Sequence, residues 1–174
     1  MINEKAQWDA AAGCCYLLKI VALDSETFQL AALSKTLYIS LSEISESLNR
    51  SQIAGLIDFN KKRVNRQSLL EFLQYGVRYV FPQKPGAMVR GVATAHSHPF
   101  MSEFFSSELN YVWVDADGEI LGLEIEPFYP KQSIAAKEND TFYKLLALVD
   151  VLRVGRVREI NVALEELKKM MLYE

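Results

Sequence analysis

An α+β fold is predicted for this 174-residue chain by three features of its sequence. Apolar residues recur at helical spacing through much of the first 80 positions. Alternating apolar residues flank the Gly-containing turn Asp115-Ala116-Asp117-Gly118. Two amphipathic stretches follow, arranged around Gly155. Hydrophobic residues make up 50% of the chain, enough to build a sizeable core at this length. No apolar run approaches the roughly 20 residues of a membrane span. The first residues include Glu4 and Asp9 and lack the basic region, apolar block and cleavage site of a signal peptide, so the cytoplasm is the expected location and a membrane is not an expected partner.

Taken in order, Trp8 to Leu23 reads as a helix with Ala11, Cys15, Leu18 and Ala22 on one face, broken by Asp24-Ser25. Ser25 or Thr27 can cap a second helix that runs to Leu37, with Leu33 and Leu37 four residues apart. Ile39 anchors a turn. Leu41, Ile44 and Leu48 then recur at helical spacing behind Ser40. Ser40 and Glu43 form a capping box, in which the Ser hydroxyl accepts from the backbone N–H three residues on and the carboxylate reaches back to the Ser N–H. Gly55 marks the end, since Gly takes the left-handed conformation without a Cβ clash. Residues 33–57 therefore predict two short helices joined by a tight turn, a helix-turn-helix. Leu56-Ile57 followed by Lys61-Lys62-Arg63 suggests a short hairpin with a basic tip.

Arg66 to Tyr79 returns to helical spacing through Leu69, Leu70, Leu73 and Val77, and the Pro-containing stretch Phe81 to Gly86 stops it. From there to Glu108 the chain reads as irregular, with Gly91, Pro99 and a Ser-rich stretch. Tyr111–Val114 and Ile120–Ile125 predict a β-hairpin, ended by Pro127 and Pro130. Thr141–Val154 and Val157–Leu172 predict two amphipathic helices. The expected organisation is an N-terminal winged helix-turn-helix over residues 1–80 and an extension over 81–174 with a β-hairpin and two C-terminal helices, suited to dimerisation or effector binding. Leu145, Leu148, Val149 and Leu152 form the expected homodimer surface, the alternative being that this face packs internally against the hairpin. Aromatic residues between 100 and 129 are conceivable as the lining of an effector site between the two halves, but are expected to be core.

Leu33, Leu37, Ile39, Ser40, Ser42, Glu43 and Ile44, followed by Ala54, Gly55, Leu56 and Ile57, resemble the bacterial winged helix-turn-helix regulators, the MarR-like group in particular. The resemblance covers about residues 8 to 66. It implies a recognition helix over about 40–55, a wing after it, double-stranded DNA as partner and a role in transcriptional control without catalysis or cofactor. Tyr38 stands where that group often has Gly in the turn. The segments around Tyr79-Val80-Phe81-Pro82, Thr94-Ala95-His96 and Leu145 to Asp150 also resemble a bacterial group that carries this N-terminal unit, which implies that the centre of the chain belongs to the core architecture.

Charge agrees with an anionic partner. The chain carries a formal net charge of −3, yet residues 50–90 hold eight Lys or Arg against two acids, leaving eleven basic and twenty acidic residues elsewhere. Lys61, Lys62, Arg63 and Arg66 are the expected phosphate contacts, and Ser42, Ser45, Glu46, Asn49 and Arg50 the expected base-reading residues. Glu43 and Glu46 against a single Arg50 make the recognition helix acidic. That favours a second reading, in which the winged helix contacts a protein, as an antitoxin or regulatory subunit encoded beside its partner.

Other chemistry is thin. His96-Ser97-His98-Pro99 resembles the His-x-His-Pro segment of JAMM metalloproteases, which implies zinc hydrolysis, and Ser106 falls in place; Leu109 occupies the position of the third ligand. The two histidines are expected to shape a loop. Cys14 and Cys15 are adjacent, a spacing that disfavours a mutual disulfide, and are expected to be reduced core residues. Asp115 and Asp117 fit turn chemistry better than a calcium loop, which would need a terminal Glu.

Overall fold

A computed structural model describes residues 4–24 and 28–173, with side chains from residue 10 onward. The cap expected at Ser25 or Thr27 lies outside these residues. The fold is α+β and predominantly helical.

Helix α1 (Glu4–Leu23) is buried continuously from Ala11 to Val21. It is thus a core helix, buried around its whole girth with Lys19 among its apolar residues, rather than the one-faced surface helix its spacing suggested. Cys14 and Cys15 are both buried thiols within it. Burial pushes the Cys14 thiol up to about 12 and the Cys15 thiol well above the ordinary range, so neither is a reactive thiolate.

Helix α2 (Leu30–Leu37) buries Leu33 and Leu37. It ends at Tyr38, which takes the left-handed conformation at φ 59°. For a residue with a Cβ that conformation is unfavourable by about 1–2 kcal/mol. The turn is held by Ile39 N–H donating to the Ser34 carbonyl at 3.2 Å and the Ser34 hydroxyl donating to the Ile39 carbonyl at 2.6 Å. The Tyr38 hydroxyl bonds the Glu138 carboxylate, fixing the turn to the C-terminal half.

Helix α3 (Leu41–Ile53) opens with the expected capping box: Glu43 N–H donates to the Ser40 hydroxyl at 3.3 Å, and Ser40 N–H donates to the Glu43 carboxylate at 3.3 Å. Its inner face is Ile44, Ser47, Leu48 and Ser51. Gly55 follows at φ 75°, and a Cβ there would meet no heavy atom within 4 Å. Backbone conformation, not space, is what asks for glycine.

The single helix expected over 66–79 is two: α4 (Arg66–Tyr75), capped by Asn65, and the one-turn α5 (Val77–Val80). They part at Gly76, whose added Cβ would crowd the Phe72 ring at 3.0 Å.

The segment expected to be irregular contains strand β1 (Met88–Ala93), a 3-10 turn at Ala95–Ser97 and the short helix α6 (Pro99–Ser102). The strands of the expected hairpin, β2 (Tyr111–Val114) and β3 (Ile120–Glu124), both form and both pair antiparallel with β1, Val92 opposite Trp113 and Val89 opposite Gly122. They therefore run parallel to each other, Tyr111 opposite Leu123, and the three strands close on themselves. The backbones approach so closely that a Cβ on Gly91 would overlap the Trp113 carbonyl oxygen.

Helices α7 (Gln132–Lys137), α8 (Asp140–Val154) and α9 (Val157–Leu172) complete the fold. Every residue of α8 from Leu145 to Arg153 is buried, because the helix is surrounded by α1, α4, α5, α7, α9 and the 3-10 turn. This corrects the expected dimer surface: Leu145, Leu148, Val149 and Leu152 pack internally and are unavailable to a second copy. One hydrophobic cluster runs from Ala11 through Ile44, Leu73 and Trp113 to Met171.

At the centre of that cluster lies an ion pair. Asp150, fully buried, accepts from the Thr94 hydroxyl at 2.8 Å, the Trp113 indole N–H at 2.7 Å and the Arg153 guanidinium at 2.8 Å. Arg153 also donates to the carbonyls of Phe81 and Glu126 and lies over the Phe128 ring. Burial raises the Asp150 carboxyl, and Arg153 with the two other donors opposes the rise. The network ties β1, β2, α8 and two loops into one unit.

Candidate nucleic-acid interface

Each expected DNA-contacting residue can now be placed. Ser42, Glu46, Asn49 and Arg50 are exposed on the outer face of α3, and Ser45 is half-buried at its edge. The capping box aligns the first turn of the helix, and an N-terminus presents a partial positive charge whatever the side chains around it.

The wing is a single turn. Ile57 and Val64 form one isolated antiparallel bridge, and Asn65 N–H donates to the Leu56 carbonyl at 2.9 Å. Between them Asp58 organises the loop: its Oδ1 accepts the backbone N–H of Lys62 at 2.6 Å and of Arg63 at 2.9 Å, and its carbonyl accepts Lys61 N–H at 2.9 Å. These backbone donors, Arg63 foremost, hold the Asp58 carboxyl below its ordinary range. Lys61 sits in the left-handed region at φ 55°. Its ammonium bonds the Asn49 amide oxygen, latching the wing to the outer face of α3.

Lys62 and Arg63 are exposed beside that latch, so Asn49, Lys61, Lys62 and Arg63 are brought together. Arg66 is not part of the group. It pairs with Asp24 at 2.7 Å and reaches the Met171 carbonyl at 3.3 Å, which anchors α4 to the ends of α1 and α9.

Phe59 and Ile53 were missed. Phe59 is 84% exposed in the wing turn and Ile53 is 88% exposed at the end of α3. The signal for the first was Asp58, since an Asp at such a point builds a turn through its own side chain and carries the next residue outward.

The histidine segment is organised as a loop support. His96, 7% exposed, bonds the Leu109 carbonyl through Nε2 at 2.9 Å and packs at a tilt of 58° against the Tyr111 ring. His98 Nδ1 accepts Phe100 N–H at 3.2 Å, capping α6, while its ring packs edge-on to Tyr143. Burial, with Lys144 nearby, pushes His98 down to about 4, so the ring is the neutral acceptor this cap requires. Among the described residues no group of three His, Cys, Asp or Glu is placed to hold a metal ion.

Of the aromatic residues between 100 and 129, Trp113, Phe128 and Tyr129 are core, as expected. A cleft of about 250 Å³ beside the turn is lined by Tyr16, Tyr38, Ser40, Glu43, Tyr129 and Lys131 among others. Among the described residues no helix is long and apolar enough to cross a membrane. The chain matches no family model, no curated protein and no solved structure.

Proposed function

We propose that this protein binds double-stranded DNA through α3 and the adjoining wing and acts in transcriptional control. The observation that carries the reading is the latch between Lys61 and Asn49, which puts the basic wing and the outer face of α3 on one continuous surface. On that surface Asn49 and Arg50 are the base readers, since Asn pairs with adenine and Arg with guanine in the major groove. Lys62 and Arg63 supply phosphate contacts, while Arg66 is engaged with Asp24. The Glu46 carboxylate repels phosphate and suits cytosine, which offers a donor there.

Titration of labelled duplex DNA over a range of salt concentrations tests this. Binding should weaken steeply with salt, and replacing Lys61, Lys62 and Arg63 together by Ala should weaken binding to all sequences and flatten the salt slope. Equal binding by wild type and the triple variant removes the wing from the interface. No binding to any duplex favours the second reading, a protein partner. The exposure of the apolar Ile53 and Phe59, together with the acidic Glu46 on α3, is the observation in its favour.

A further inference from the structure

The wing carries an exposed aromatic ring that its basic residues do not explain. Phe59 is 84% exposed and Ile53, at the end of α3, 88% exposed. An apolar ring left in water is unfavourable to the isolated protein, and the surrounding backbone holds it there. Asp58 closes the loop through the backbone N–H groups of Lys62 and Arg63, Lys61 N–H bonds the Asp58 carbonyl, and the Lys61 side chain pins the loop to Asn49. The ring is therefore displayed from a fixed turn, with Asn60, Lys61, Lys62 and Arg63 following it directly.

The neighbouring charges select the occupant. A surface that offers an aromatic face and several cations within a few residues is complementary to stacked bases flanked by phosphates. With α3 in the major groove, the Lys61–Asn49 latch would set the wing beside it, at the strand that separates that groove from the adjacent minor groove. Apolar side chains entering a minor groove act between base steps, unstacking them and bending the duplex.

Resting on the DNA-binding reading, we propose that Phe59 is a wedge inserted at a base step beside the site that α3 reads. The bend this produces selects flexible pyrimidine–purine steps at positions that no side chain reads by hydrogen bonding. Phe59 would thus set specificity through deformability, separately from Asn49 and Arg50.

The test uses the full chain and a short duplex enriched from a random pool by the wild-type protein. Permanganate should reveal an unstacked, hyperreactive thymine to one side of the protected site. In Phe59→Ala that signal should vanish and affinity fall about tenfold. The salt slope should stay unchanged, because no phosphate contact is lost. Phe59→Trp should restore both. A hyperreactive thymine that persists in Phe59→Ala, or affinity unchanged by that substitution, overturns the wedge while leaving DNA binding intact. If wild type binds no duplex, the wedge and the parent reading fall together; circular dichroism checks that each variant is folded.

Discussion

The two ends of the interior are built on opposite principles. Around α3 and the wing, order comes from short polar contacts at the surface: the Ser40–Glu43 box, the Asp58 loop closure and the Lys61–Asn49 latch. Around α8, order comes from burial on every side, with one charged pair sealed among apolar residues. The first arrangement leaves side chains available and contributes little to global stability, since exposed polar contacts are individually weak. The second makes the fold and offers nothing to a partner. Stability and recognition are therefore separable, and substitutions in the two regions should have different readouts.

The sharpest break of this division is Asp150→Ala. It leaves the Arg153 guanidinium buried without its carboxylate and removes the acceptor for Thr94 and Trp113, so stability to urea should fall by about 3–5 kcal/mol. On the proposed DNA-binding reading, the part that remains folded should bind duplex DNA as wild type does; a specific loss of binding at full folding would join the two regions. Leu148→Ala comes next, with a loss of about 3 kcal/mol in the same measurement from the cavity at the centre of α8. Its sedimentation should match wild type, because Leu148 faces the interior. A changed oligomeric state would return that face to an interface.

Acid should discriminate further. The His98 ring is held near 4 in the folded state against an ordinary value of 6.5, so the unfolded chain binds the extra proton first. Its contribution is complete above pH 6.5 and is lost as pH falls from there towards 4, amounting to about 2 kcal/mol once partial hydration is allowed for. A His98→Asn variant should show a shallower decline in stability over that window. An identical decline would place the titration elsewhere. The smallest effect belongs to Ser40→Ala, which removes the cap of α3 at about 1 kcal/mol. Amide exchange in the first turn of α3 should quicken, with exchange in α8 unaltered.

The same division governs what the sequence makes legible. The box at Ser40 and Glu43, the stop at Gly55 and the cap at Asn139 are encoded by neighbours a few residues away, and local chemistry can be read directly; of these, Asn139 went unremarked. Strand β1 was hidden because it is short, contains Gly91, and exists only through partners some twenty to thirty residues later. Helix α8 reads as amphipathic; the three-residue spacing of Asp150 and Arg153 suits a pair, but nothing local places that pair inside the core. On the candidate interface, residue types pointed to Lys61, Lys62 and Arg63 as one basic cluster. They could not tell that Arg66 turns away to Asp24, a choice made by the ends of α1 and α9.

The burial of α1 against α8 gives synthesis an order. Residues 11–21 are made well before the helix that covers them, which begins only at Asp140. Until that stretch is made, the bed on which α3 rests keeps an apolar side facing water, and a closure spanning most of the chain is slow to find. Before then α3 lies on a helix whose other side is uncovered, and it gains a rigid floor only once α8 has packed against α1.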